Sequence, residues 1–440
     1  MIIAGGTIVT FDEKNRILED YAILVEDNII KKIERRESLI KEYSKEEVVE
    51  AKDCIIMPGL ICAHSHIYSA FARGMPLKTE PPKNFVEILE RIWWHLDKRL
   101  TLEDTYYSGL VTAIEAIKHG TTTLVDHHAS PYSISGSLEK LATAMRQVGI
   151  RGVLAYEVSD RDGKDKAQEG INENVNFIKK YSQDDLIRGS FGLHASFTLS
   201  SETLKDCVNA CEGLNVGFHI HVAEDRADVD DSIKKYGKRV VERLFEAGIL
   251  GSKTIAAHCI HVYSNELSIL KKTNTKVVHN PESNMNNAVG VARVLEMIHM
   301  GINPCLGTDG FTVDMFREAK VTYILHKIAN RDPRVMGADQ VLSMLTTNNS
   351  TLLAEYFEKK VGVIEPGAYA DIIILDYKPY TPLTSGNFPW HFIFGIDSSH
   401  VKTVIVNGKL IMKDRKILTV NEDEIMAKAK EVAVKLWERL

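Results

Sequence analysis

The chain has 440 residues, of which 44% are hydrophobic and 26% charged, and its formal net charge is −6. This mild acidity provides no basic surface for nucleic acid, and no apolar run approaches the ~18 residues that a membrane span needs. The N-terminal segment has no basic stretch ahead of an apolar one, so we expect no signal peptide. The composition therefore predicts a soluble cytoplasmic protein that binds neither nucleic acid nor membrane. It leaves 16 histidines to be explained.

The first strand-like runs lie in residues 1–57, where short β-branched segments are separated by Gly, Asp and Asn. The same pattern returns over residues 362–440, which end in a helix-period segment after a possible cap at Asn421. We therefore expect the two chain ends to share one small composite β-sandwich domain, with residues 58–361 inserted between them.

Residues 58–361 alternate short apolar runs with longer helix-period segments. Parallel strands need helical crossovers, so eight such units predict an α/β fold, a closed (β/α)₈ TIM-type barrel. An open doubly wound sheet is the alternative, and it is disfavoured because polar residues end most runs instead of lining one crevice. The eight runs are 59–64, 121–128, 151–157, 188–194, 216–222, 254–258, 276–280 and 302–309. Helices are predicted over 103–120, 137–149 and 237–248, each ending at Gly.

The six cysteines are expected to be reduced, as in intracellular proteins. Cys207 and Cys211 share a helical stripe, and packing in the core is favoured over a metal pair. Cys62, Cys259 and Cys305 lie in strand-like apolar runs and are expected to be small buried hydrophobes.

The strongest chemical signal is His64-Ser65-His66 at the end of the first apolar run. Residues i and i+2 of a strand share a face about 6.5 Å apart, so the two imidazoles can bind one metal ion. A solvated or hydrogen-bonded histidine pair is the competing interpretation. The metal site is favoured because other runs also end in or beside ligand-type side chains, namely His194, His219, His221, Glu224, His258, His279 and Asp309.

Three imidazoles and one carboxylate suit a divalent ion such as Zn²⁺ or Fe²⁺ with an open position for water. The set is His64, His66, His221 and Asp309. The metal lowers the pKa of bound water towards ~7. Asp309 can also accept the proton of that water, Glu224 can act as a proton donor, and His258 can hydrogen-bond the attacking oxygen.

Five ordered segments, PGLICAHSH, HIHVAE, AHCIH, HNPESN and LGTDG, resemble motifs of the amidohydrolase superfamily, in its cytosine-deaminase-like and chlorohydrolase-like branch. The closing VGVIEPGAYADIIILD is similar to that branch's return into the small β domain. The resemblance implies that His64, His66, His221 and Asp309 bind the metal, that Glu224 shuttles a proton and that His258 stabilises the oxygen on the metal. It also implies that His194 and His279 face the substrate and that His219 lies behind His221.

The resemblance further implies one metal ion per protomer, zinc before iron. Binuclear relatives carry a carboxylated Lys at the end of the fourth strand, where this chain has His194. DHHASP and FPWHFIFG are similar to an aminohydrolase group encoded among selenium-linked purine-catabolism genes. The segment KTEPPKNF departs from the acidic stretch of adenosine-type and S-adenosylhomocysteine-type deaminases, which leaves the substrate open.

Several further groups have two interpretations. Arg73 can bind an anionic or ring-carbonyl group of a substrate, or form a structural salt bridge. Trp93 and Trp94 can pack a lid helix or stack on a planar substrate. His127 and His128 can reach the mouth of the barrel, and His391 is expected to be structural.

The sequence thus predicts a hydrolase for a small planar nitrogen heterocycle, a purine, pyrimidine or triazine. Metal hydroxide attacks the amine-bearing ring carbon and ammonia leaves. Hydrolysis of a ring C–Cl, N-alkyl or cyclic amide bond at the same site is the alternative, followed by a non-catalytic metal-binding scaffold. A homo-oligomer, dimer or tetramer, is expected from the resemblance.

Overall fold

The computed structural model describes residues 1–440. The N-terminal segment forms short strands and one helix, α1 (Arg36–Glu42). Its strands are β1 (Ile2–Ala4), β2 (Thr7–Val9), β3 (Ile17–Leu18), β4 (Tyr21–Glu26), β5 (Ile29–Arg35), β6 (Val48–Glu50) and β7 (Ile55–Pro58). Four of them form a sheet in the order β5-β4-β1-β6.

The barrel strands follow, and each is parallel to its neighbours within the sheet. They are β8 (Leu60–Ser65), β9 (Thr121–His128), β10 (Arg151–Tyr156), β11 (Ile187–Gly189), β12 (Phe191–Ala195), β13 (Phe218–Val222), β14 (Ile255–His258), β15 (Lys276–His279) and β16 (Cys305–Leu306). The fourth predicted run is divided at Ser190, since β11 pairs with β10 and β12 pairs with β13.

Two isolated bridges join these strands into a ring. Val158 bridges Leu193 on one side, and Ser65 bridges Asp309 on the other. The predicted closed barrel is therefore confirmed over the open sheet. The eighth strand is much shorter than the predicted 302–309, since only Cys305 and Leu306 pair with β15, and Asp309 lies beyond it in a left-handed backbone (φ 59°).

Helices connect the barrel strands. The predicted helices 103–120 and 137–149 agree closely with α4 (Leu102–Lys118) and α5 (Ser137–Val148). The third predicted helix, 237–248, is shorter in the structure, where α9 spans Val240–Glu246. The reason is that Gly237 ends the preceding helix, α8 (Arg226–Tyr236), in a left-handed conformation, and the chain is then extended at Arg239. The helices are α2 (Phe85–Ile88), α3 (Trp94–Asp97), α4 (Leu102–Lys118), α5 (Ser137–Val148), α6 (Lys164–Lys180), α7 (Ser201–Cys211), α8 (Arg226–Tyr236), α9 (Val240–Glu246), α10 (Ser264–Thr273), α11 (Pro281–Asn286), α12 (Val294–His299), α13 (Met315–Asn330), α14 (Ala338–Ser343) and α15 (Asn349–Leu353). Wider π turns join α2 to α3 and α14 to α15.

The C-terminal segment returns to the small β domain. It contributes β17 (Ile372–Leu375), α16 (Phe388–Phe394), β18 (Val401–Val406), β19 (Lys409–Lys413), β20 (Lys416–Ile417) and α17 (Glu422–Arg439). Strand β17 pairs antiparallel with β7, which joins the two chain ends in one sheet of order β20-β19-β18-β17-β7-β2-β3. Asn421 caps α17 as predicted, and none of the helices is long and apolar enough to cross a membrane.

A buried ion pair ties the barrel to the small domain. At the start of β10, the Nε of Arg151 donates to Asp371 Oδ2 at 2.6 Å and its Nη2 donates to Asp371 Oδ1 at 3.0 Å. Both side chains are fully buried, and the guanidinium lies over the ring of Tyr369 at 4.2 Å. Removing one partner of such a pair leaves the other charge buried and uncompensated.

We expect Asp371→Ala to lower the free energy of unfolding by about 3–5 kcal/mol, measured by urea titration. The control is Glu115→Ala, which removes the partner of the exposed Arg73 and is expected to cost less than about 1 kcal/mol. Equal losses of unfolding free energy in the two variants would show that the buried pair stabilises the fold no more than the exposed pair does.

Candidate active site

Four predicted ligand side chains meet at the carboxyl end of the barrel. His66 Nε2 lies 3.1 Å from His221 Nε2 and 3.0 Å from Asp309 Oδ1. His64 Nε2 lies 3.6 Å from Asp309 Oδ1. The two histidines of the first strand end are thus brought to a third imidazole and a carboxylate that are far away in sequence.

Hydrogen bonds behind the imidazoles fix their tautomers. His66 Nδ1 donates to the carbonyl oxygen of His127 at 2.6 Å, and His221 Nδ1 donates to that of His194 at 2.9 Å. Because a carbonyl oxygen only accepts, each Nδ1 carries a proton, and Nε2 is the ring atom left to face a metal ion. His64 Nδ1 contacts His219 Nε2 at 2.8 Å, so His219 lies behind His64 instead of His221.

The residues fit a single divalent metal ion. The ligand atoms of His64, His221, His258 and Asp309 all lie within 4.8 Å of one another. His64 Nε2 is buried without a hydrogen-bond partner, a state that is rare for a polar atom and that a metal ion would relieve. Burial lowers the pKa of His64 to about 4 and that of His221 well below its usual value, which keeps both rings in the neutral, metal-binding form.

Glu224 and His258 lie beside this set. His258 Nε2 is 3.5 Å from Glu224 Oε2 and 3.8 Å from Asp309 Oδ2. Its Nδ1 donates to Asn284 Oδ1 at 2.8 Å, which leaves Nε2 as an acceptor. Burial raises the pKa of Glu224 well above its usual range, and the neighbouring Asp309 carboxylate raises it further. Although burial acts in the same direction on Asp309, the neighbouring His64 and His66 side chains hold its pKa well below its usual range.

The site opens into a cavity lined by 20 residues, eight of them hydrophobic. Of the predicted site residues it is lined by His66, His194, His221, Glu224 and Asp309. Its apolar walls include Trp93, Trp94, Phe85, Phe197 and Phe311. The cavity therefore combines a polar ligand set with flat aromatic surfaces, an arrangement suited to a planar ring.

Two predicted substrate residues do not line this cavity. The Arg73 side chain is 65% exposed and forms an ion pair with Glu115 of α4 at 3.0 Å, which corrects the substrate role in favour of the salt-bridge interpretation. His279 is fully buried, with its Nε2 3.1 Å from His326 Nε2 on α13, so it faces a helix and not the cavity. His194 does line the cavity, and its Nδ1 is held by Thr198 Oγ1 at 2.7 Å.

The structure also places residues in the cavity wall that the sequence analysis missed. Glu157 is buried, with Oε1 3.4 Å from the Nδ1 atoms of both His66 and His127. Glu157 is the last residue of the third predicted strand, 151–157. It therefore has the same position at the end of an apolar run that pointed to the histidines. Asp97 and Arg161 also line the cavity, but they come from the end of α3 and the loop after β10 and carried no strand-end signal.

Three further histidines, His127, His128 and His391, do not line the cavity, although a ring nitrogen of His127 lies within 4.8 Å of one in each of His64, His66 and His221. His127 stacks on His219 with ring centroids 4.3 Å apart. His128 Nε2 lies 2.9 Å from Ser130 Oγ, and His391 Nδ1 lies 2.9 Å from the Tyr377 hydroxyl, away from the cavity.

Comparison with known proteins assigns the family. The model of the Amidohydrolase family matches residues 55–411. The chain belongs to the amidohydrolase family. Two relatives align with this chain over 99% of its length and over 99% of their own. They are a 5'-deoxyadenosine deaminase from Methanopyrus kandleri at 34% identity and a 5-methylthioadenosine/S-adenosylhomocysteine deaminase from Syntrophomonas wolfei at 33% identity.

Solved structures show the same fold. A zinc-bound adenosine deaminase from Xanthomonas campestris has a TM-score of 0.87 at 22% identity, covering 99% of this chain and 98% of that one. A zinc-complexed atrazine chlorohydrolase from Arthrobacter aurescens has a TM-score of 0.84 at 19% identity, covering 98% and 99%. The amidohydrolase fold thus extends over nearly the whole chain.

We expect metal content to depend on the converging side chains. His221→Ala removes one of the candidate ligands and should weaken metal binding by more than about 100-fold, because even residues behind a ligand cost 10–100-fold. The measurement is metal per chain after dialysis against a weak chelator, with wild type retaining one ion. His391→Ala, a histidine remote from the cavity, is the control, and metal loss in that variant alone would contradict the assignment.

Proposed function

We propose that this chain is a metal-dependent aminohydrolase that releases ammonia from the amine-bearing ring carbon of a planar nitrogen heterocycle, with an aminopurine nucleoside as the leading candidate. The observation that carries the proposal is a cavity with aromatic walls in which Glu224 and His258 lie beside the set of three imidazoles and Asp309. The full-length relatives named as deaminases of 5'-deoxyadenosine and of 5-methylthioadenosine/S-adenosylhomocysteine support the purine class.

In this proposal His64, His66, His221 and Asp309 hold the metal ion. Zinc is the proposed ion, in line with the zinc-bound structures of similar fold. A divalent ion in this set lowers the pKa of a water molecule and so supplies a nucleophile at neutral pH. The chain's contribution is to orient the imidazoles of His66 and His221 through the carbonyl oxygens of His127 and His194.

Glu224 is proposed to carry the proton. It lines the cavity beside Asp309 and lies next to His258, so its carboxyl group can take a proton from the water and give it to the ring nitrogen adjacent to the attacked carbon. His258 keeps its Nδ1 proton on Asn284, and its free Nε2 is available to accept a hydrogen bond from the attacking oxygen. The amine then takes up the remaining proton of the added hydroxyl group through Glu224, the C–N bond breaks, and ammonia leaves as the oxygen becomes the ring carbonyl.

Hydrolysis of a ring C–Cl, N-alkyl or cyclic amide bond is the second candidate. It uses the same nucleophile, and pocket shape decides the leaving group. A chlorohydrolase shares the fold at 19% identity, whereas the relatives at 33–34% identity are named as deaminases. The deaminase is therefore preferred. A non-catalytic scaffold is disfavoured by the presence of Glu224 in the cavity with the complete ligand set.

We expect Glu224→Gln to lower kcat by at least about 100-fold, because the amide cannot transfer the proton. The assay is ammonia release from a panel of aminopurine nucleosides, aminopurines and aminopyrimidines by the zinc-loaded protein, with metal content measured in parallel. Glu246→Gln, on the exposed face of α9, is the matched control and should behave as wild type. Equal rates for Glu224→Gln and wild type on a true substrate would refute the proton-transfer role.

The product distinguishes the two enzyme candidates. Deamination replaces an NH group of the substrate by oxygen, so we expect turnover in ¹⁸O-labelled water to place one labelled oxygen on the ring and to release one ammonia per product. Mass spectrometry measures both. Addition of a whole water molecule without ammonia release would instead indicate opening of a cyclic amide.

A further inference from the structure

A second charged group lies in the cavity wall, apart from the metal-binding set. Arg161, in the loop after β10, donates from Nη2 to Asp97 Oδ2 of α3 at 2.6 Å. The side chains are 10% and 1% exposed, and both line the same cavity as His66 and Glu224. The Arg161 guanidinium also lies 5.1 Å from the centre of the Trp94 ring.

This group has hydrogen-bonding capacity that the chain itself does not use. The Nε and Nη1 atoms of Arg161, the Oδ1 atom of Asp97 and the indole Nε1 of Trp94 are buried without partners. Buried polar atoms are almost always hydrogen-bonded. Unpaired donors and an unpaired acceptor in one cavity wall therefore indicate a ligand that presents both kinds of group.

The charge of Arg161 is already compensated. Asp97 binds it directly and Glu157 stands in the same wall, whereas Asp162 lies 3.8 Å from its Nε and is bound chiefly by Lys98 at 2.9 Å. A phosphate or carboxylate at this wall would meet one guanidinium together with the Asp97 and Glu157 carboxylates, and like charges in a buried site repel strongly. Hydroxyl groups, which both donate and accept, match the unused atoms at no such cost.

We propose that the Asp97–Arg161 pair restricts the substrate to heterocycles whose ring substituent is uncharged and hydroxyl-bearing, such as a sugar, and rejects those that carry a phosphate or carboxylate there. This inference rests on the proposed deaminase function and specifies its substrate class. Asp97 is the specificity-determining residue, since it cancels the charge that would make Arg161 an anion receptor.

The test compares adenosine with adenosine monophosphate as substrates of the zinc-loaded enzyme. We expect wild type to favour adenosine by at least about 100-fold in kcat/KM, a ratio within the range set by buried like charges. Asp97→Asn keeps the side-chain shape and exposes the Arg161 charge, so the preference should fall by at least about tenfold, through improved use of the monophosphate.

Two variants control for general effects. Asp162→Asn removes a nearby negative charge whose main partner is Lys98 at 2.9 Å and which does not line the cavity, so it should leave the ratio nearly unchanged. The double variant Asp97→Asn with Arg161→Gln removes both charges, so use of the monophosphate should fall back to about the wild-type level. The double variant contains no unpaired buried charge, so it also serves if Asp97→Asn alone fails to fold.

Binding measurements keep the proposal separate from the proposed function. Calorimetry with inosine and inosine monophosphate, the corresponding deaminated compounds, needs no turnover and should show the same preference and the same changes. Equal acceptance of neutral and phosphorylated ligands by wild type, or equal shifts in Asp97→Asn and Asp162→Asn, would overturn the proposal. If no amine releases ammonia, the deaminase function is wrong, and the binding ratios still decide the role of Asp97.

Discussion

The candidate site depends on the backbone hydrogen bonds that close the barrel between its first and last strands. The amides of Thr308 and Asp309 both donate to the carbonyl oxygen of His64 at 3.0 Å, and the amide of His66 donates to that of Asp309 at 3.3 Å. Gly307 permits this approach, because a Cβ there would lie 2.6 Å from the His64 amide nitrogen. Closure of the ring therefore places the carboxylate of Asp309 next to the paired histidines.

The barrel backbone also orients the rest of the site. The carbonyl oxygens that hold His66 and His221 belong to residues at the ends of the neighbouring strands β9 and β12. At other strand ends the chain takes left-handed conformations, with φ of 45° at Ala223 and 72° at His258. Such conformations are costly for residues other than glycine and gather at functional sites. Here they turn the chain out of the strands at the two points from which Glu224 and His258 approach the cavity.

The sequence was sufficient for the features that repeat along the chain. Apolar runs that end in ligand-type residues predicted the barrel and the meeting of His66, His221 and Asp309, because parallel strands place all their carboxyl ends on one face. Side chains outside that pattern were harder to predict. The direction of Arg73 depends on Glu115 of α4, and the pairing of Asp97 with Arg161 joins α3 to the loop after β10. No local sequence pattern encodes such contacts, since they arise only when the helices pack.

Strand β10 shows how stability and chemistry are separated in this fold. At its start, Arg151 is buried against Asp371 and attaches the barrel to the small domain. Directly after its end, Glu157 enters the cavity wall, with Arg161 following in the loop. Both ends bury charge, but Arg151 is held by several partners from the chain, whereas Arg161 keeps unpaired donors beside Asp97. A buried group with unused donors is stable only when something else satisfies them. The carboxyl end of β10, which Arg161 follows with its unused donors, is therefore the end suited to bind a ligand.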